Sequence, residues 1–352
     1  MNDEKIGVIL GQIGTPEQPT ASAVRAYLRP FLSDRRVIDY PPWLWQPLLQ
    51  GIILRVRPKK SAALYKEIWT EEGSPLMVYS LRQQQGLQKR LGARYQVELG
   101  LAYTRLDPAN GIKSLEQAGI SKIVLLPLFP QYSSTTTASF YEAAMRAALG
   151  EGNGRAGSGA AKRYIPELRL AGAFYNDPAY REALRHNLTE QIQRLPHKPD
   201  QYVLSFHGVP ERYIKTGDPY EKQCRESAEE LAEAMGWAPD EWRISFQSRF
   251  GKEPWIGPST AEVLGELSAQ GVKRPFVCAP GFVTDCLETL HELGIEGREQ
   301  FAEGGGDPLD YSFASCLNDD SAWLDFLAEY SKRHSAGWLD RNEDMERNYS
   351  YV

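Results

Sequence analysis

Residues 276–296 read FVCAPGFVTDCLETLHELGIE, and the rest of the chain is organised around this stretch. Phe276, Val277 and Cys278 end an apolar run, the mark of a buried strand. Pro280 and Gly281 break the chain, Thr284 stands where an N-cap belongs, and helical periodicity follows. On an α-helix Asp285, Glu288, Glu292 and Glu296 recur at i, i+3, i+7 and i+11 and share one face. Leu287, Leu290 and Leu293 supply an apolar flank. Neighbouring carboxylates raise one another's pKa, so such a row is costly unless it holds a cation or passes protons. A solvated acidic face is the plainer reading. The location argues for chemistry instead, because the row follows the carboxyl end of a strand, where open α/β sheets place their sites.

The same alternation runs through the rest of the chain. Strands are predicted over 6–10, 96–103 and 122–129, with helices over 21–32 and about 109–118. A second series has strands over 168–173, 202–206, 242–247 and 274–278, with helices over 177–195, 219–235 and 259–270. A last strand near 309–313 leads to a helix over 321–332. Strand–helix–strand spacing of this kind makes right-handed parallel crossovers. Between the series, EGNGRAGSGAAK at 151–162 reads as a flexible insertion. The expected fold is α/β, with halves over 1–160 and 161–333 facing each other across a ligand cleft, and a polar tail over 334–352.

The chain has 352 residues, enough for two domains with a core each. A net charge of −6 with no basic block argues against nucleic acid as a partner. No run of about eighteen apolar residues is present, so no membrane span is expected. The start, MNDEKIGVIL, lacks the basic segment of a signal peptide, and a cytoplasmic location is expected. Cys224, Cys278, Cys286 and Cys316 are dispersed without a CxxC pair, so they read as free thiols rather than ligands of zinc or an iron–sulfur cluster.

Two further segments bear on function. From Pro41 to Leu54, PPWLWQPLLQGIIL carries no charge over fourteen positions. It is either a core helix or an apolar lip meeting a flat hydrophobic ligand or the bilayer surface. The cations Arg55, Arg57, Lys59 and Lys60 follow it, an order that suits a greasy ligand with carboxylate tails and equally an anionic lipid. SFHGVP at 205–210 places His207 in a Gly/Pro loop at a strand's carboxyl end. A lone histidine is more often structural. If the halves face one another, however, His207 and Glu288 can share a cavity, and a neutral imidazole with carboxylates suits a borderline divalent metal such as iron(II) without binding it irreversibly. His186, His197, His291 and His334 read as helix-surface, loop or tail residues. The hydroxyls of PQYSSTTT at 130–137 either line a pocket or cap a helix.

SFHGVPERYIKTGDPY, FQSRFGKEPW, PGFVTDCLETLHELGIEG, IWTEEGSPLMVYS, FLSDRRVID and PQYSSTTT together closely resemble the ferrochelatases, the terminal enzymes of haem synthesis. The resemblance is collinear from Ile6 to about Ser331. It implies two Rossmann-like, chelatase-type domains flanking a porphyrin cleft, and a lyase that inserts ferrous iron into protoporphyrin IX with release of two protons. The family histidine falls on His207 and the family glutamate on Glu288, as catalytic and metal-side residues. Asp285, Glu292 and Glu296 would continue a proton relay outward. Arg57, Tyr65, Ser74, Gln247 and Ser248 match porphyrin-binding positions, and Gly217–Tyr220 reads first as a turn and cap. Iron is a substrate, no resident cofactor is expected, and the lip between Pro41 and Leu54 would give peripheral contact with the inner membrane face. Many relatives have histidine where this chain has Cys286. The rival readings are a chelatase for coproporphyrin or cobalt, and a non-catalytic tetrapyrrole or metal carrier.

Overall fold

The structure, a computed structural model, describes residues 5–150, 162–251 and 253–339. β1 (Ile6–Gln12) is buried along its whole length, as a continuous apolar run covered on both faces must be. The chain continues through α1 (Ala21–Phe31), α2 (Pro42–Leu48), a π-helical turn at Leu49–Ile53, α3 (Leu54–Ile68) and α4 (Pro75–Leu91). Next come β2 (Tyr95–Leu101), α5 (Pro108–Gln117), β3 (Lys122–Pro127), a π-helical turn at Ser134–Ala138, α6 (Ser139–Leu149) and β4 (Glu167–Leu170). After α7 (Pro178–Gln193) the pattern recurs with β5 (Gln201–His207), α8 (Glu211–Lys215), α9 (Tyr220–Met235), β6 (Trp242–Gln247), α10 (Thr260–Ala269) and β7 (Pro275–Cys278). A π-helix at Glu288–Glu296, α11 (Gly297–Glu303), β8 (Ser312–Phe313) and α12 (Ser321–Ser335) complete it.

The strands form two parallel sheets, ordered β2-β1-β3-β4 and β6-β5-β7-β8. The two orders are the same arrangement used twice. In each, the winding reverses between the first and third strands, β1/β3 and β5/β7, and a crevice opens there at the carboxyl ends.

The halves differ from the expected division at residue 160. β4 pairs with β3, placing Glu167 beside Lys122, so the first sheet closes after the insertion. α12 returns from the chain's end to pack on α4, α7, β3 and β4. The two sheets share one continuous core, in which Val8, Leu10 and Val124 belong with Leu204, Phe206 and Phe246. Burying apolar faces of both sheets against common helices serves short strands better than two small cores would. The predicted tail also begins late. α12 runs to Ser335, and Trp338 is buried, stacked on Arg169 with its guanidinium carbon 3.9 Å from the ring centre and Nε1 donating to Glu167 at 2.7 Å. Residues 151–161 and 340–352, the rest of the insertion and tail, lie outside the described residues.

Between Pro41 and Leu54 the chain is helical yet exposed. Trp43 is 78% and Ile52 58% accessible, and Leu44, Leu48 and Val56 extend the patch. Trp45 turns inward and donates from Nε1 to the Leu32 carbonyl at 2.6 Å. The outer side of the segment is exposed apolar surface, while Leu49 and Leu54 are buried in the core.

Candidate active site

β5 and β6 pair so that His207 stands beside Gln247 at their carboxyl ends. The His207 ring places Nδ1 2.6 Å from the Gly208 carbonyl. A carbonyl only accepts, so Nδ1 carries the hydrogen and Nε2 keeps its lone pair. Gly208 is required for this approach: a Cβ there would lie 2.8 Å from the Gln247 carbonyl oxygen and 3.2 Å from the Trp255 ring. The backbone is held in the same place by the Gly208 N–H, which donates to that carbonyl at 2.8 Å.

Gln247 is buried and its amide is oriented by its neighbours. Oε1 accepts from the Ser205 hydroxyl at 3.0 Å, which turns Nε2 toward the π-helix. There it donates to the Glu288 carbonyl at 2.7 Å and lies 3.4 Å from the Glu292 carboxylate. Ser248 completes the grip, its N–H and its hydroxyl each donating to Glu292 at 2.5 Å. To do so it adopts φ +64, a left-handed conformation that a Cβ disfavours and that recurs at functional sites. Burial raises the Glu292 pKa. The Ser248 hydrogen bonds and the His207 imidazole oppose the rise, and the Glu288 carboxylate adds to it. Glu292 is thus in the field of both His207 and Glu288, and the imidazole and the acids belong to one constellation.

Glu288 also faces the first half of the chain. Burial, and after it the Glu288 carboxylate, hold the Tyr27 phenol well above its ordinary pKa. For Tyr65 burial comes first, then Tyr27, then Glu288. The apolar flank of the π-helix divides accordingly. Leu287 and Leu290 pack on the cluster of α1 and α3 that holds Tyr27 and Tyr65, and Leu293 packs on the second sheet. Glu288 therefore acts on the phenols of the first half and also on Glu292, which the His207 imidazole affects in turn.

The acidic row is not the α-helical stripe that the spacing suggests. The helix starts at Leu287, and Thr284 caps nothing; its hydroxyl accepts from Gln83 at 2.9 Å. Asp285 thus precedes the helix and is buried as a structural acid, accepting from Asn318 Nδ2 at 2.7 Å, Cys316 N at 3.1 Å and Thr289 Oγ1 at 3.1 Å. From Glu288 onward the winding is π, with i→i+5 bonds, so residues four apart stay close to one line. Glu288, Glu292 and Glu296 follow that line without Asp285. His291, which periodicity assigns to a helix surface, is 5% exposed, with Nε2 3.2 Å from Glu67 of α3 and Nδ1 3.4 Å from Glu296. The wider winding turns it inward, which the order of residues alone does not reveal.

The porphyrin-matching residues are distributed unevenly. Arg57 keeps solvent access and stands 5.8 Å from the centre of the Phe250 ring, yet burial lowers its pKa, and the Glu288 carboxylate, then Tyr65 and Tyr27, act against that fall from the same region. Tyr65 is in the buried wall with its hydroxyl on Thr15, which also meets the buried Ser74 hydroxyl at 2.8 Å. Gln247 and Ser248 hold the acidic helix. Asp218 acts as the expected cap, accepting from Tyr220 N at 3.1 Å, and it also accepts from Ser134 N at 2.7 Å, across to the PQYSSTTT loop. A small crevice of about 10 Å³, room for little more than a water, lies at the carboxyl ends of the first sheet, lined by Gln12, Ile13, Tyr103, Thr135 and Thr136 among others. It contains none of the acid–imidazole residues, so it is the first-sheet crevice rather than the chemical centre. Among the described residues no three His, Cys, Asp or Glu side chains gather as a metal cage. All four cysteines are free and buried.

The chain is 44% identical over 337 residues to Ferrochelatase 1 of Shewanella oneidensis, covering 95% of this chain and 97% of that one. It is 42% identical to the ferrochelatase of a Polaromonas species (94% and 87% covered) and 41% identical to that of Yersinia enterocolitica (95% and 99%). Among solved structures, SirB from Bacillus subtilis with Fe3+ has the same fold at a TM-score of 0.50 and 14% identity, covering 74% of this chain and 89% of its own. The ferrochelatase family profile matches residues 5–335, and the chain belongs to the ferrochelatase family.

Proposed function

We propose that iron insertion into a porphyrin, the family's reaction in haem synthesis, takes place in the slot between His207 and the Glu288 side of the π-helix, with Tyr27 and Tyr65 as the far wall. The observation that carries this reading is the grip of Gln247 and Ser248 on Glu292, which sets that acid in the field of both His207 and Glu288. Inserting a divalent metal expels two pyrrole N–H protons. The free Nε2 of His207 is the first acceptor on one face. Glu288 meets the metal on the other, with Glu292 and Glu296 passing protons outward along the π-helical line. Burial raises Glu292 above the ordinary carboxylate value, the direction that suits an acid passing protons. Asp285 holds the loop before the helix and takes no part in the path.

Protoporphyrin IX is the favoured ring, because the exposed apolar lip from Trp43 to Val56 suits its less carboxylated edge, with Arg57 at the rim for the propionates. The same lip would rest on the cytoplasmic face of a membrane. No helix among the described residues is long and apolar enough to cross one. The test is turnover of ferrous iron and protoporphyrin IX, followed by haem absorbance, in His207→Ala and Glu288→Gln. Each loses on the order of 10²–10⁴-fold in rate if it moves a proton or meets the metal. Glu288→Gln turning over at the wild-type rate removes the central assignment. Vesicle co-sedimentation of Trp43→Ser with Ile52→Ser tests the membrane contact.

A further inference from the structure

Arg212 lies five positions after His207, in α8, and binds in three directions at once. Its guanidinium pairs with Glu253 in the loop after β6, and with Asp39 in the first half of the chain, where Nε is 3.3 Å from Oδ2 and Nη2 meets Oδ1. The group is also stacked between rings, 4.7 Å from the centre of Tyr40 and 4.8 Å from that of Tyr213. Tyr213 donates to the Val37 carbonyl at 2.8 Å, and the Tyr40 hydroxyl lies 3.4 Å from Glu253. The segment from Val37 to Tyr40 runs directly into Pro41, the root of the lip. On the other side, the loop that carries His207 is already bound to the Glu253 loop, with Glu211 N donating to Pro254 O at 3.0 Å and Ile256 N to Val209 O at 3.1 Å. One cation thus joins the root of the lip to the loop of the proposed base.

We infer that Arg212 is a positioning residue that fixes the width of the mouth through which the planar substrate passes. A forked guanidinium can span two carboxylates in one plane, and an ammonium cannot. Without it, Asp39 and Glu253 face each other as like charges beside two unstacked rings, and the root of the lip separates from the His207 loop. Arg212 touches none of the acid–imidazole residues, so its loss weakens capture of the ring and leaves the insertion step alone. The inference rests on the ring lying under the lip, as proposed above.

The experiment is steady-state kinetics with protoporphyrin IX on full-length Arg212→Met, Arg212→Lys and the pair Asp39→Asn with Glu253→Gln, alongside Trp43→Ser. Arg212→Met should raise the porphyrin KM about fivefold with kcat held, as expected for a partly exposed two-carboxylate network. Arg212→Lys should recover only part of that, and adding Arg212→Met to the Asp39/Glu253 pair should add nothing further. Because the network is half exposed, the wild-type KM should rise with salt and that of Arg212→Met should not. A fall in kcat at unchanged KM, or an unchanged KM in Arg212→Met while Trp43→Ser raises it, overturns the assignment. A merely structural role would lower Tm and active fraction together and leave KM where it was, which also overturns it. Loss of the Trp43→Ser response removes the lip reading itself, and the clasp with it.

Discussion

The Ser248–Glu292 contact allows a sharp test of how the acidic helix is held. Ser248 donates twice to the carboxylate, from N–H and from Oγ, and adopts φ +64 to do so. Ser248→Ala removes the hydroxyl bond and keeps the strain. Hydrogen bonds to charged groups contribute about 1.5–3 kcal/mol. With the N–H bond retained and the site half-buried, the low end applies, so the cost should be about 1.5 kcal/mol. Ser248→Gly loses the same bond but relieves a left-handed Cβ worth roughly 1 kcal/mol, leaving a net cost of about 0.5 kcal/mol. The cost should also depend on pH. Ser248 binds the ionised carboxylate and pulls its pKa down against the larger upward effect of burial. Its contribution is therefore complete above the pKa that Glu292 has without the bond, and is lost as pH falls from there to the native pKa, which is itself raised above the ordinary carboxylate value. Urea midpoints of wild type, Ser248→Ala and Ser248→Gly at pH 8 and pH 5 provide the measurement. Equal costs at both pH values would mean that the bond is not to an ionised Glu292. Equal costs for alanine and glycine would mean that the loop is not strained.

The other expectations are simpler. Gly208→Ala pushes a methyl group against the Gln247 carbonyl and Trp255, which should cost about 1–3 kcal/mol in the urea midpoint and lower turnover by moving His207. Asp285→Asn turns an NH₂ toward donors that now meet a carboxylate and leaves Cys316 N or Asn318 short of an acceptor. It should cost about 1–3 kcal/mol, with kcat per folded molecule unchanged, whereas a relay role would lower kcat. His291→Leu removes the bridge from α3 to the π-helix and should lower Tm, because Glu67 and Glu296 lose their shared partner.

The alternation of strands and helices was legible because each central strand is a continuous apolar run ended by glycine or proline, a pattern that parallel sheets impose on every central strand. His207 at a strand end was legible for the same reason. The winding of the acidic helix was not. An α-helix and a π-helix can be written with the same residues, and the choice depends on contacts from elsewhere: Gln247 on the Glu288 carbonyl, Ser248 on Glu292, and Asn318 on Asp285 before the helix begins. Period-3.6 reasoning therefore counted Asp285 into the row and set His291 on the surface. The division of the chain failed at β4 for a related reason. A four-residue edge strand gives no local sign of which sheet it will join, and the insertion before it looks like a boundary. The resemblance pointed to Gln247 and Ser248, but their hold on Glu292 involves residues about forty-five positions apart, and no short-range pattern encodes it.

The repeated strand order explains how the work is divided. Both sheets open a crevice at the same point of their topology, yet the two carry different chemistry. The β1/β3 crevice is lined by Ile13, Tyr103 and the hydroxyls of Thr135 and Thr136, groups that pack and hydrogen-bond but hold no charge at neutral pH. The second half carries His207, Glu288 and Glu292, so under the proposed reading the proton and metal-side groups come from that half. Between them lies the π-helix, with Leu287 and Leu290 on the first half and Leu293 on the second. In the proposed reading, a ring held from the first side would present its nitrogens to the second only while the halves keep their spacing. The bonds that cross between the halves, Gln83 to Thr284, Asp218 to Ser134 and Arg212 to Asp39, set that spacing. Under that reading, these crossing contacts would serve the geometry of insertion as much as the acids do.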